Sequence, residues 1–344
     1  MGSIPPAGTK LSQIPLHFLL VDIPASCSTA CSPVAYNHIV TPAQPVLIFV
    51  NPAAGGGKAL SFLPRIRDVF EDFKIPAEFV STATALEMTL LARKAIEEGR
   101  KLLAVMGGDG TLQELVNTSY GADVVLGVVP VGGGNDFATA LGLPKDPVDA
   151  AREMLRGSPR WVDLIRSRTA EGAERFYVGG GGLGLDAEAS RYAGGKFRQV
   201  PGRLRYLASA LTALWHFKPL KVEASFPDDA LADVECDVLI CAALNTPTYG
   251  AGLRLAPEAS LEDGCFDLVF VQSLGWAEVL PLLPRLVVSG ELRTSRLTRI
   301  RAKHVRLTTN RSCFFHADGE VIGSAPVELE IAPNAFRVLA PKSG

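Results

Sequence analysis

The stretch Leu102-Leu-Ala-Val-Met-Gly-Gly-Asp-Gly-Thr-Leu-Gln-Glu-Leu-Val-Asn117 decides the fold class. Leu102–Met106 is an apolar run of strand type. Thr111, with Glu114 three positions on, forms a capping box that opens a helix through Asn117. Between them lies Gly107-Gly-Asp-Gly110, a turn in which glycine lets the backbone approach a ligand closely. A strand, a glycine turn and a helix are the building unit of a parallel sheet covered by helices on both faces.

The unit recurs on either side. Val46–Val50 is a short apolar run, followed by Asn51-Pro-Ala-Ala-Gly-Gly-Gly-Lys58. Ala59–Phe73 then places Leu60, Leu63, Ile66, Val69 and Phe70 on one helical face. A second strand near Ala77–Val80 precedes a helix that Thr84 and Glu87 cap and Gly99 ends. Val124–Pro130 is a further strand, and Val131-Gly-Gly-Gly-Asn-Asp136 leads to a helix starting near Asn135.

Past about residue 160 the pattern changes. Strand-like runs appear at Trp161–Ile165, Phe176–Val178, Lys221–Phe226, Val234–Ala243, Phe266–Gln272, Leu297–Arg301, Val305–Thr309 and Val327–Ile331. Helical spacing is confined to Asp186–Lys196, Gly202–Phe217 and Trp276–Ser289. The expected organisation is an α/β domain over 45–160 and a largely antiparallel β domain over 161–344. Residues 1–44 carry Pro, Ser and Ala without a period and read as an extension outside the core, with the composition of a disordered segment.

Composition narrows the function classes. Of 344 residues, 47% are hydrophobic and 20% charged, as in a folded protein of about two domains. The net charge of −2 argues against bulk electrostatic binding to nucleic acid. The 6 cysteines form no CxxC pair, which points to free thiols in a reducing, cytoplasmic compartment. No apolar run approaches the roughly 20 residues that span a bilayer. The Met-Gly-Ser start lacks a myristoylation signal, because Pro6 stands where Ser or Thr is needed.

The glycine loops carry the chemistry. Each precedes a helix N-terminus, where free N–H groups favour an anion. In a parallel sheet such loops all lie at the carboxyl edge of the strands. Three of them gathered on one edge make a cradle for a polyphosphate. It is not a Walker A loop, which needs glycine at Pro52 and Ser or Thr at Ala59. Asp109 lies inside this anion-seeking site, so a cation must stand between it and phosphate, and Mg²⁺ suits one carboxylate plus phosphate oxygens. One rival is an NAD(P)-dependent oxidoreductase, since Gly179-x-Gly181-x-x-Gly184 fits a dinucleotide fingerprint. That reading needs an acidic residue about 20 positions on, where Arg203, Leu204 and Arg205 stand. A nucleotide-binding protein without catalysis, or an NAD kinase-like enzyme, would use the same cradle.

The run Gly107–Asn117 resembles the nucleotide-binding signature of the diacylglycerol kinase catalytic-domain family, which includes the soluble bacterial and YegS-type lipid kinases and is related to sphingosine and ceramide kinases. The segments 51–58, Pro130–Ala138, Tyr249–Gly252, Ala256-Pro257, Asp263-Gly264 and Asp318-Gly-Glu320 fit the family's order over about 45–340. The resemblance implies a phosphofructokinase- or NAD-kinase-like nucleotide domain followed by a β-sandwich. It also implies an enzyme that moves the γ-phosphate of ATP, with Mg²⁺, to a lipid hydroxyl. Asn51, Lys58, Gly107, Gly108, Gly110, Thr111, Glu114, Gly133, Gly134 and Asn135 would then hold the nucleotide. Asp109 would orient Mg·ATP, and Asp263 with the carbonyls of Ser260 and Cys265 would hold a second, structural magnesium. Glu320 matches the family's proposed general base, with Asp318 beside it; Asp109 is the other candidate. The bland reading of Asp318-Gly319 is a hairpin turn. Asp186 matches a substrate head-group position of sphingosine kinases, or simply caps a helix. Gly133 or Gly134 stands where the family usually has threonine, which removes a hydroxyl from the cradle.

A lipid acceptor implies transient contact with a membrane surface. The basic run Arg191, Lys196, Arg198, Arg203 and Arg205, and the stripe Trp276, Leu280, Leu283, Leu286 and Val287, could dock there or be ordinary surface and core. A homodimer is left open.

Overall fold

The computed structural model describes residues 44–185, 218–250, 252–273 and 294–342, with the single positions 212, 278, 290 and 292. The extension before residue 44, the segment Asp186–Lys196, the segments Gly202–Phe217 and Trp276–Ser289 apart from positions 212 and 278, the basic run and the apolar stripe lie outside the described residues.

The first half contains β1 (Val46–Val50), α1 (Ala54–Gly57), α2 (Ala59–Asp72), β2 (Ala77–Ser81), α3 (Ala85–Glu97), β3 (Leu102–Gly107), α4 (Asp109–Ser119), β4 (Val125–Pro130), α5 (Asp136–Ala140) and α6 (Pro147–Arg156). β1 and β3 are buried at every position, which is why they read as unbroken apolar runs rather than alternating ones. β2, β1, β3 and β4 pair in parallel in that order. α2 packs against α6, and α3 against α4. Thr84 caps α3 as expected: Glu87 N donates to Thr84 Oγ1 at 3.1 Å, while Glu87 Oε2 reaches one residue past the N-cap to accept Ala83 N at 2.8 Å. Asp146 caps α6 ahead of Pro147, a start signal that the sequence reading passed over.

The second half contains β5 (Ser158–Arg168), β6 (Glu174–Tyr177), β7 (Gly180–Gly184), β8 (Leu220–Ser225), β9 (Val234–Leu244), β10 (Phe266–Gln272), β11 (Leu297–Ala302), β12 (His304–Thr309), β13 (Phe314–Ala317), β14 (Glu320–Ser324) and β15 (Val327–Ala340). These strands pair antiparallel with one another. They enclose a second core that includes Tyr177, Leu183, Phe266, Phe270 and Phe315. The fold is thus a parallel α/β sheet followed by an antiparallel β-sandwich domain.

The two halves share one sheet. β15 pairs with β5 from Glu328↔Arg168 to Ala340↔Ser158, and Arg337 and Val338 pair in parallel with Val125 and Leu126 of β4. Phe336, Val338, Leu339 and Ala340 therefore lie in the core of the first half. The expected division near residue 160 falls inside β5, the strand that carries the chain from one core to the other.

Candidate active site

The three glycine loops meet. Asn51, Ala53 and the glycines 55–57 follow β1; Gly55, Gly56 and Gly57 take φ of 62°, 71° and 88°. A Cβ on Gly55 would stand 2.5 Å from the Val131 carbonyl oxygen, so the first loop lies backbone-to-backbone on the third. A Cβ on Gly132 would stand 2.6 Å from Gly108 Cα, which presses the third loop on the second. The Gly107 carbonyl accepts Val131 N at 2.9 Å.

Side chains brace this contact. Asn51 Nδ2 donates to Thr111 Oγ1 at 3.0 Å, while Asn51 Oδ1 accepts Ala53 N at 3.0 Å. Asn135, at φ 54°, donates from Nδ2 to the Gly132 carbonyl at 2.9 Å; its Oδ1 is buried with no partner. Lys58 is exposed at the join of α1 and α2. A Cβ on Gly133 would meet nothing within 4 Å, so the hydroxyl-bearing side chain of the family would fit there.

Thr111 and Glu114 do not form the expected capping box. α4 begins at Asp109 with Gly108 as its N-cap, three residues ahead of the Thr111 cap that the sequence implied. Thr111 is thereby inside the first turn and serves Asn51, and Glu114 is free to pair with Arg175 of β6.

Asp109 accepts Asp136 N at 3.1 Å and Phe137 N at 3.2 Å, so its carboxylate caps α5. Burial, then the charge of Asp136, pushes it up to about 6. Asp318 and Gly319 turn the β13–β14 hairpin with φ of 47° and 89°, a two-residue turn with both residues left-handed. The Asp318 carboxylate is buried beneath that turn. It accepts Val178 N at 2.8 Å, Gly179 N at 2.9 Å and Gly180 N at 3.2 Å. Burial, then the charge of Asp109, pushes it up to about 7. Turn and buried acid are the same residue.

Glu320 opens β14. A Cβ on Gly110 would stand 3.5 Å from Glu320 Oε1 and 3.6 Å from the Asp318 carbonyl, so the hairpin reaches the first turn of α4. Burial, then the charge of Glu114, raises the Glu320 carboxyl, and Arg175 opposes the rise. The hairpin thus brings Asp318 and Glu320 to the edge where the glycine loops gather. Thr248 Oγ1 adds a second bridge, donating to Asp136 Oδ1 at 2.6 Å.

Asp263 is elsewhere and otherwise engaged. Its Oδ1 accepts Cys265 N at 3.1 Å, and its Oδ2 is held by the Arg301 guanidinium. Among the described residues no group of three His, Cys, Asp or Glu side chains is placed to hold a metal. Arg301 thus occupies one oxygen of the carboxylate that a second magnesium would use. The loop is held instead by buried Asp163, a residue that sequence reading missed. It accepts Gly264 N at 2.7 Å and Asn334 N at 2.8 Å. Asp186 lies outside the described residues. The Gly179–Gly184 fingerprint is not a strand-to-helix turn: Gly180–Gly184 is a strand, paired with β9 and β13. That removes the dinucleotide reading. Cys236 and Cys265 are free thiols.

Comparison with known proteins places this geometry. Residues 45–167 match the diacylglycerol kinase catalytic domain, and residues 181–340 match the YegS C-terminal NAD kinase beta sandwich-like domain. The chain's first domain is thus a diacylglycerol kinase catalytic domain and its second a YegS-type β-sandwich, the pairing of a lipid kinase. This lipid kinase is 28% identical over 300 residues to a diacylglycerol kinase of Mycobacterium tuberculosis, covering 87% of this chain and 96% of that one. It is 27% identical over 298 residues to a diacylglycerol kinase of Bacillus subtilis, covering 86% and 96%. The crystal structure of a diacylglycerol kinase from Bacillus anthracis superposes with a TM-score of 0.63 at 18% identity, covering 87% of this lipid kinase and 97% of that chain. No described helix of the lipid kinase is long and apolar enough to cross a membrane.

Proposed function

We propose that the lipid kinase transfers the γ-phosphoryl group of Mg·ATP to a lipid hydroxyl, with diacylglycerol the first acceptor to test and a sphingoid base the second. One observation carries the reading: three glycine loops touch backbone to backbone at the carboxyl edge of a parallel sheet, which is where a nucleotide's phosphates are received. Residues 45–160 would hold the nucleotide and 161–344 the lipid.

Asn51, Thr111 and Asn135 brace the cradle, and the amides of 55–57, 107–111 and 132–135 face the phosphates. Lys58 and Glu114 flank it. Among the described residues no three side chains form a metal cage; Asp109, with the bare Asn135 Oδ1 nearby, would hold a Mg²⁺ that the phosphates bring. Bound there, Mg²⁺ would neutralise phosphate charge. Glu320 would accept the proton of the attacking hydroxyl, its raised basicity helping at neutral pH. Asp318 would hold the 178–180 segment and share negative charge with Asp109. The enzyme would meet its acceptor at the membrane surface.

The test is transfer of labelled γ-phosphate from ATP to diacylglycerol, sphingosine, ceramide and phosphatidylglycerol. Asp109→Ala should lose transfer by about a hundredfold or more while keeping the wild-type circular dichroism spectrum. Full activity in that variant removes Asp109 from the mechanism, and inactivity of the wild type on all four lipids rejects this acceptor class.

A further inference from the structure

The seam between α4 and β6 carries a charge that the reaction, as described, does not use. Asn117 grips one residue of β6 from both sides. Its Oδ1 accepts Phe176 N at 2.9 Å, and its Nδ2 donates to the Phe176 carbonyl at 2.7 Å. Tyr120 stacks on the Phe176 ring with centroids 4.1 Å apart. The neighbouring Arg175 is thus fixed over α4, where its guanidinium pairs with Glu114. Its carbonyl is fixed too, accepting Ser167 Oγ at 2.9 Å. Glu114 lies one turn along α4 from Gly110, the residue against which Glu320 rests. One guanidinium therefore pairs with Glu114 and, through its charge, also acts on Glu320, a carboxylate from the other half of the chain. Without that cation the two carboxylates would repel each other, and the β14 end of the hairpin would be pushed off α4.

We propose that Arg175 is a positioning residue for phosphoryl transfer: anchored on Glu114, its charge offsets the repulsion between Glu114 and Glu320 and keeps Glu320 at the first turn of α4. This rests on the reading of Glu320 as the proton acceptor. A guanidinium suits the task because Glu114 can fix its planar fork while its permanent charge still reaches a second carboxylate. The pairing joins the nucleotide helix to the base, so its loss acts on the chemical step rather than on ATP binding. A displacement of about 1 Å at a reacting group costs up to about a hundredfold in rate.

The experiment compares Arg175→Gln, Arg175→Lys, Glu114→Gln and Glu320→Gln in the full chain, with diacylglycerol in mixed micelles and ATP varied. Arg175→Gln should lower kcat about 10- to 100-fold with the KM for ATP changed less than about threefold. Arg175→Lys should recover part of kcat, since it keeps the charge but not the fork. The double variant Arg175→Gln/Glu114→Gln should be more active than Arg175→Gln alone, because the unpaired repulsion is gone. A kcat within twofold of wild type in Arg175→Gln overturns the proposal. So does a loss expressed only in KM for ATP, which would make Arg175 a nucleotide ligand. Should Arg175→Gln fail to fold, Arg175→Lys decides alone: wild-type kcat/KM in it would show that the fork is dispensable. Wild-type turnover in Glu320→Gln sinks the base assignment and this proposal together, whereas an inactive Glu320→Gln beside an active Arg175→Gln sinks this proposal only.

Discussion

Asp318 is a carboxylate placed where its charge is both wanted and penalised. Three backbone amides point at it, yet burial and Asp109 lift it from 3.8 to about 7. Its proton is held more tightly in the folded chain than in the unfolded one. The stabilisation this gives is complete below the unfolded value and drains away as pH climbs through about 7. Asp109, lifted to about 6, contributes a slope of the same sign. Asp318→Asn removes one of the two. Thermal melts from about pH 5 to pH 8 should show the wild type losing Tm more steeply than the variant. At the acid end the variant should be less stable by about 1–3 kcal/mol, since its –NH₂ must face an amide that donates. Parallel slopes for the two proteins would mean that Asp318 titrates as an ordinary surface acid.

The loop after β1 shows how an element can be specified by what it lacks. Gly55 sits at φ 62° with the Val131 carbonyl 2.5 Å from where a Cβ would be, and both parties are backbone. Gly55→Ala should therefore cost about 1–2 kcal/mol in stability from its left-handed backbone alone. It should also weaken binding of a non-hydrolysable ATP analogue about tenfold, measured by calorimetry, as the first and third loops separate. Gly133→Ala, in open space, is the matched control and should bind as wild type does. Equal affinity in the two variants would detach the first loop from the nucleotide site. These loops were legible in the sequence because glycine clusters and the strand–turn–helix order are local signals. The start of α4 lies three residues ahead of its sequence signal because Thr111 and Glu114 imitate a capping box, whereas their partners, Asn51 and Arg175, are 60 and 61 residues away. β7 was passed over because a strand of Gly180, Gly181, Gly182 and Gly184 carries almost no side-chain pattern. Nothing near Arg175 in the sequence marks it; only the seam with α4 does.

Across the whole molecule, the boundary drawn near residue 160 hides a return. Val327–Ile331 was read as a strand, and its extension to Ala340 was not, because the partner of Arg337 and Val338 lies about two hundred residues back on β4. The first core takes Phe336, Val338, Leu339 and Ala340 from that extension. A fragment of residues 45–160 should then fail to give a cooperative melt, while the full chain does. Chemical-shift dispersion in the fragment's amide spectrum comparable to that of a folded domain would show that the first core is self-sufficient. The β15 crossing also has a consequence in time. On the ribosome, β4 emerges early and waits with an unpaired flank until nearly all of the described chain has been translated. The first core is thus denied its closing strand until the second half of the chain exists, so the two halves are finished together rather than in turn.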